Sequence, residues 1–191
     1  MARRNHTFEI NEYYHCYNRG TDKRIIFDDK YDYAYFIKSL KAYNSVDSFG
    51  RLSLATNQSQ DEKIVDVISY CLLQNHFHIV LRERIENGIS KFMQRIGVGY
   101  TMYFNEKNKR SGALFQGAFK SKHVDKDQDL QQLIAYVTYN YKIHSVTDVE
   151  LYRSHLDNNH SVLRGPNSFE LNHRYMEEVV EIIKLQRLNF D

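Results

Sequence analysis

The stretch from Ile64 to Leu81 reads Ile-Val-Asp-Val-Ile-Ser-Tyr-Cys-Leu-Leu-Gln-Asn-His-Phe-His-Ile-Val-Leu. Residues 64–73 are rich in β-branched and aromatic side chains, and residues 76–81 form a second, shorter run of the same kind. Gln74 and Asn75 lie between the two runs and are suited to a tight turn. The stretch therefore predicts an antiparallel hairpin that carries a His-Phe-His tripeptide on its second strand.

Further strands and helices are predicted on both sides of this hairpin. The pattern indicates a strand over 11–19, a helix over 31–43, a helix from 89 to about 107, a strand over 113–124 and a helix over 127–144. These assignments rest on alternating or helically spaced apolar residues. Taken together, the order is β-α-β-β-α-β-α. This order is typical of an α+β protein with a ferredoxin-like antiparallel sheet and one added helix.

The composition favours one globular domain with a short appendage. The chain has 191 residues, of which 42% are hydrophobic and 26% charged. No apolar run approaches the roughly 20 residues that span a bilayer. Only Cys16 and Cys71 occur, so a disulfide framework is excluded and a reducing, cytoplasmic location is expected. We assign residues 1–150 to one domain and 151–191 to a C-terminal helical extension, with a helix over 172–189.

The basic residues are unevenly distributed although the net charge is only +2. The candidates for phosphate contacts are Arg19, Lys107, Lys109, Arg110, Lys120 and Lys122. Such clusters can neutralise nucleic-acid phosphates, but they also occur as ordinary solvated faces. The chain has 15 tyrosines and no tryptophan, and tyrosine rings can stack on unpaired bases. The pattern fits a partner that is single-stranded nucleic acid, but most of these rings are expected in the core or at its boundary.

Two positions could carry chemistry. His76 and His78 are two residues apart on a strand, so both imidazoles face one side and could converge on one metal ion. On the 127–144 helix, Tyr136 and Asn140 lie one turn apart on one shoulder of the apolar stripe, while Tyr139 faces away. A nucleophile suits such a border position. The commoner alternatives are two partly buried histidines and an interfacial tyrosine beside a surface asparagine.

Five segments, in this order, resemble the HUH single-strand DNA transposases. Among these, the chain resembles the REP-associated tyrosine transposases and the IS200-like transposase family. The segments are Tyr14-His-Cys-Tyr-Asn-Arg-Gly20, Ile26-Phe27 with the helix after it, Tyr70-Cys-Leu-Leu-Gln-Asn-His-Phe-His-Ile-Val-Leu81, Leu114-Phe-Gln-Gly-Ala-Phe-Lys120 and Tyr136-Val-Thr-Tyr-Asn140. The resemblance covers about residues 10–145.

The resemblance implies a metal-dependent enzyme that cleaves and joins single-stranded, hairpin-containing DNA through a 5′-phosphotyrosine. Tyr136 would be the nucleophile, and His76, His78 and Asn140 would bind Mg²⁺ or Mn²⁺. Imidazole ligands favour Mn²⁺. The chain departs from the family pattern at Thr138, where the family has His, and at Gln74 and Tyr141, where it has Pro. The family also implies a bacterial, nucleoid-associated protein, and a monomer is favoured over a homodimer.

Three other functions are considered. A catalytically silent single-stranded DNA-binding regulator with the same fold is the main alternative, although a pure binder needs none of the four site residues. An RNA-recognition module requires an aromatic RNP1 strand, and the sequence has none. A metal-dependent hydrolase of small molecules is the third, and DNA-dependent stability would separate it from the others.

Overall fold

The computed structural model describes residues 7–46 and 63–143. Its elements are β1 (Tyr13–Arg19), a 3₁₀ turn (Thr21–Lys23), α1 (Lys30–Ala42), β2 (Val65–Leu73), β3 (His76–Glu83), α2 (Gly88–Lys107), β4 (Lys120–Val124) and α3 (Asp127–Ile143). The predicted β-α-β-β-α-β-α order is confirmed. The helix expected over 172–189 and the whole 151–191 extension lie outside the described residues.

The four strands form one antiparallel sheet in the order β2-β3-β1-β4. Strands β1 and β3 are therefore central, as in a ferredoxin-like fold. Gln74 and Asn75 connect β2 to β3, as the sequence predicts. In the β1 register, Tyr17 lies opposite His78 on one side and opposite Lys120 on the other. This pairing brings the two histidine positions next to an aromatic and a basic residue.

The two faces of the sheet are covered differently. Phe77 is buried on one face and contacts Phe36 of α1, with ring centroids 5.0 Å apart. Helices α1 and α2 pack on this face and against each other. The opposite face carries His76 and His78, and α3 lies there, chiefly against β2 and β3. In the described part of the chain, the β1–β4 half of that face carries Tyr17 and the basic side chains of β4.

The strand predicted over 113–124 is shorter in the structure, where β4 covers only Lys120–Val124. Residues 113–119 are a loop that closes over the end of β1. Thr21 donates its backbone N–H to the Leu114 carbonyl at 2.9 Å, and Gln116 donates to the Arg19 carbonyl at 2.9 Å. Gly112 and Gly117 have φ of +88° and +124°, values that favour glycine. The backbone hydrogen bonds of this loop thus serve the end of β1 rather than a longer β4.

A buried carboxylate fixes the start of α2. Glu83 is fully buried, and its carboxylate accepts the backbone N–H groups of Gly88 at 3.0 Å and Ile89 at 2.7 Å. The N-cap residue, Asn87, makes no side-chain capping bond, so Glu83 takes over that role. Burial raises the pKa of the Glu83 carboxyl, and the two backbone N–H groups oppose the rise. None of the helices in residues 7–46 and 63–143 is long and apolar enough to cross a membrane.

Replacing Glu83 by Ala should lower the free energy of unfolding by about 3 kcal/mol, because two buried N–H groups lose their acceptor. Urea unfolding followed by circular dichroism measures the loss. The exposed Glu86, three residues further along, provides the matched control, and Glu86→Ala should change stability by less than about 0.5 kcal/mol. Equal effects of the two substitutions would show that Glu83 does not cap α2.

Candidate active site

His76 and His78 project from β3 toward α3 and differ sharply in exposure. Their ring centroids are 5.1 Å apart, and the rings are nearly perpendicular, at 82°. His76 is half-buried, whereas His78 is only 1% exposed. The ring of His78 is therefore part of the protein interior, whereas that of His76 is partly accessible. The His78 ring is buried because α3 covers the β2–β3 half of this face.

The hydrogen bonds of Asn75 identify which nitrogen of His76 carries the proton. Asn75 donates its amide Nδ2 to the Lys23 carbonyl at 3.2 Å, so its Oδ1 faces the other way. That oxygen lies 2.6 Å from Nδ1 of His76. Since an amide oxygen can only accept, His76 must donate from Nδ1. The lone pair of His76 is therefore on Nε2, the nitrogen suited to a metal ion.

A third histidine, His15 on β1, contacts His78. His15 Nε2 lies 2.9 Å from His78 Nδ1, and the two ring planes are inclined by 21° to each other. His15 is 1% exposed. Burial, with a smaller contribution from the positive charge of Lys122, lowers the pKa of His15 to about 4. His15 is therefore a neutral imidazole at neutral pH.

Tyr136 lies on α3 and its ring packs edge-to-face on His78, with centroids 5.9 Å apart and an interplanar angle of 83°. The predicted apolar stripe of α3 is buried at Leu130, Ile134 and Val137. Tyr136 itself is only 3% exposed, so its expected border position, open to substrate, is wrong. The ring packs on the sheet at His78. Asn140 follows one turn later, and its side chain is outside the described residues.

Among the described residues, the β1–β4 half of this face carries aromatic and basic side chains. Tyr17 is half-buried and its ring lies 5.9 Å from that of His78, nearly parallel to it. The ammonium group of Lys120 lies 5.8 Å from the centre of the Tyr17 ring. Arg19 is two residues further along β1, and Lys122 is exposed on β4. We call these four residues, Tyr17, Arg19, Lys120 and Lys122, the β1–β4 strip.

The other predicted phosphate-binding residues lie apart from this strip. Lys107 ends α2 and is paired with Asp32 at 2.6 Å and Asp29 at 3.0 Å, at the start of α1. Arg110 donates to Asn105 and to the Ala113 carbonyl. Lys109 is exposed and has a φ of +50° in the turn after α2. The structure thus brings three of the six predicted basic residues, Arg19, Lys120 and Lys122, to the histidine face.

The histidines fit a metal ion that takes two nitrogen ligands and completes its shell with oxygen. In the described part of the chain, no group of three or more His, Cys, Asp and Glu side chains could hold a metal ion. His76 and His78 together supply two imidazoles, each with its Nδ1 engaged by a neighbouring side chain. Such outer contacts are typical of metal-binding histidines. The donor set suits Mn²⁺, with an amide, water or phosphate oxygen as further ligand.

Sequence reasoning missed His15 and Tyr17. Both belong to the alternating stretch of β1, where residues 15, 17 and 19 share one face because successive side chains of a strand point to opposite faces. That alternation was visible, but the sequence does not show which strand lies next to His78. Only the β1–β3 register supplies the connection.

The chain was compared with a family model, with solved structures and with curated protein sequences. The family model of the IS200-like transposases matches residues 13–140. The fold is similar to that of a REP-associated tyrosine transposase solved in complex with a REP hairpin. The TM-score is 0.56 at 10% identity, over 90% of this chain and 93% of that one. A Deinococcus radiodurans R1 protein assigned as a transposase is also similar, at 11% identity, TM-score 0.42, and coverage of 72% and 98%. A search of curated protein sequences finds no match.

Replacing His78 by Ala should destabilise the protein by about 3 kcal/mol, because it leaves a cavity and removes the partner of the buried His15. His76→Ala should cost less than about 1 kcal/mol, since that ring is half-buried and solvent can reach its surroundings. Urea unfolding in EDTA, which removes any bound cation, measures both. Equal losses for the two variants would contradict the assigned difference in burial.

Proposed function

This chain belongs to the IS200-like transposase family, and we propose that it cleaves and rejoins single-stranded DNA through a covalent bond to Tyr136. The observation that carries the proposal is the packing of Tyr136 against His78, with ring centroids 5.9 Å apart. It supports the proposal because the Tyr136 ring packs on the sheet face that carries both imidazoles. All three side chains come from one chain, which supports an active site complete within a monomer.

The proposed reaction is a direct exchange of phosphodiester bonds. The Tyr136 hydroxyl oxygen attacks the scissile phosphorus, and the bond from phosphorus to the 3′ oxygen breaks. The products are a 5′-phosphotyrosine and a free 3′-hydroxyl, and attack by a second 3′-hydroxyl reverses the step on a new strand. A tyrosine with an ordinary pKa near 10 holds its proton at neutral pH, so a base must remove it during attack.

His76, His78 and Asn140 are the residues proposed to hold the divalent cation, Mn²⁺ or Mg²⁺. When bound, the cation would polarise a non-bridging phosphate oxygen and stabilise the charge of the transition state. The chain's own contribution is to orient the ligands. Asn75 fixes the ring of His76 through a 2.6 Å hydrogen bond, and the Asn75 amide is itself held by the Lys23 carbonyl.

The β1–β4 strip is proposed to hold the unpaired DNA that enters the site. Arg19, Lys120 and Lys122 supply positive charge for phosphates, and the half-buried Tyr17 ring offers a surface on which a base can stack. Lys109 and Arg110, in the turn after α2, are proposed to contact more distant phosphates. Because the similar REP-associated transposase is bound to a REP hairpin, we propose hairpin-containing DNA as the substrate class.

Tyr136 must become accessible for this reaction, because its side chain is only 3% exposed. We propose that DNA binding on the strip turns the ring or shifts α3 so that the hydroxyl meets the phosphate. The burial also bears on the alternative of a catalytically silent DNA-binding regulator. Such a regulator would bind the hairpin with Tyr136 still covered and would form no covalent product.

Replacing Tyr136 by Phe should abolish the covalent protein–DNA product, because it removes the attacking hydroxyl and almost no volume. Labelled single-stranded hairpins are incubated with the protein and Mn²⁺, and the adduct is read on a denaturing gel. Tyr139→Phe, on the same helix, is the control and should retain the adduct. An adduct that persists in Tyr136→Phe contradicts the nucleophile, and hairpin binding without an adduct in the unaltered protein supports the regulator.

Charge reversal at Lys120 and Lys122 should weaken hairpin binding about equally for different sequences, because phosphate contacts carry no base information. Each lost contact should also reduce the slope of log affinity against log salt by roughly one. Fluorescence anisotropy at several salt concentrations measures both effects. Lys38→Glu is the matched control, since Lys38 is exposed on α1, which packs on the opposite face of the sheet. An equal loss in the control would exclude the strip as the binding surface.

A further inference from the structure

We propose that His15 is a positioning residue that holds the His78 ring and its proton so that His78 Nε2 is directed to the cation. The inference rests on the proposed function, because it concerns the same metal site. His15 does not touch the substrate or the cation in this account. It acts only through the side chain of His78.

The geometry of the histidine pair is that of a directed hydrogen bond. His15 Nε2 and His78 Nδ1 are 2.9 Å apart, and the two ring planes are inclined by only 21° to each other. The short distance between the two nitrogens is that of a hydrogen bond, in which an N–H group on one ring donates to the ring nitrogen of the other. His15 is held in place for this contact by the β1–β3 pairing, in which Tyr17 rather than His15 lies directly opposite His78. His15 therefore reaches His78 diagonally across the two strands.

The polarity of His15 has one evident use within the described residues. Its other ring nitrogen, Nδ1, is buried and has no hydrogen-bond partner there. Burying an unsatisfied polar atom costs stability, so an apolar side chain of similar size would fill this space at lower cost. Within the described residues, the side chain of His15 forms its hydrogen bond with His78. The imidazole of His15 therefore acts on the orientation and the proton of the His78 ring.

The direction of the hydrogen bond decides whether His78 can bind a cation. If His78 donates from Nδ1 to His15 Nε2, the lone pair of His78 is on Nε2. If His15 donates instead, His78 carries its proton on Nε2 and that nitrogen cannot be a ligand. We assign the first arrangement. It matches His76, whose proton is placed on Nδ1 by Asn75, so both histidines present Nε2.

The two histidines are therefore oriented by different partners. Asn75 neighbours His76 in sequence and forms part of the hairpin turn, whereas His15 is 63 residues from His78 along the chain. The first contact is local, and the second requires the correct β1–β3 register. The donor pair is complete only after the sheet has formed.

The test compares two amides at position 15. In His15→Gln the side-chain oxygen can occupy the place of Nε2 and still accept from His78, whereas in His15→Asn the shorter side chain does not reach it. Long-range proton–nitrogen NMR of the metal-free protein locates the proton on His78. We expect the proton on Nδ1 in the unaltered protein and in His15→Gln, and a shift toward Nε2 in His15→Asn. Mn²⁺ affinity, followed by electron paramagnetic resonance, should fall about 10–100-fold in Asn and stay within roughly threefold in Gln.

The outcomes separate this inference from the proposed function. A His78 proton on Nε2 in the unaltered protein, or equal Mn²⁺ affinity in the Asn and Gln variants, overturns the role of His15 even if the Tyr136 adduct forms. A missing adduct with the His78 proton on Nδ1 overturns the proposed function and leaves the orientation of His78 by His15 supported. Unfolding measurements accompany each variant. If His15→Asn proves unfolded, the comparison is made with His15→Leu, which removes the acceptor without leaving a cavity.

Discussion

The antiparallel pairing of β1 with β3 is the constraint on which the rest of the site depends. It places Tyr17 opposite His78, lets His15 bond diagonally to His78 at 2.9 Å, and carries β4 with its lysines to the other side of β1. Because side chains alternate along a strand, a shift of one residue would move His15 and Tyr17 to the face covered by α1 and α2. The proposed site therefore requires this register between β1 and β3.

The two faces of the sheet carry different groups: one packs on the aromatic core, and the other carries the proposed active site. On one face, Phe77 packs into the aromatic core under α1 and α2, and that core needs no contribution from the histidines. On the other face, α3 packs chiefly against β2 and β3, and the β1–β4 strip, the proposed binding surface, lies on the other half of the sheet. His78 lies between the two regions, buried under α3 yet in contact with Tyr17. This position explains why the same residue matters both for stability and for the proposed metal site.

Local patterns predicted the strands and helices well, because runs of β-branched residues and the helical spacing of apolar residues involve only residues close together in the sequence. The hairpin, the three helices of the described residues and the place of the His-Phe-His tripeptide on the second strand were predicted in this way and are confirmed. The length of β4 was not predicted correctly, because residues 113–119 form backbone hydrogen bonds with the end of β1 instead of extending the strand. The burial of Tyr136 and the role of His15 depend on contacts between distant segments, which a single sequence does not show. The roles assigned to His76, His78, Asn140 and Tyr136 are still predictions.

The central claim is that His76 and His78 present Nε2 to one cation beside Tyr136. Crystals of the protein with Mn²⁺ and a single-stranded hairpin, measured at a wavelength where manganese scatters anomalously, test it most directly. We expect one anomalous peak about 2.2 Å from Nε2 of both histidines, with a phosphate oxygen and the Tyr136 hydroxyl on the same side of the sheet. A peak bound elsewhere on the protein, or bound through Nδ1 of either histidine, would contradict it.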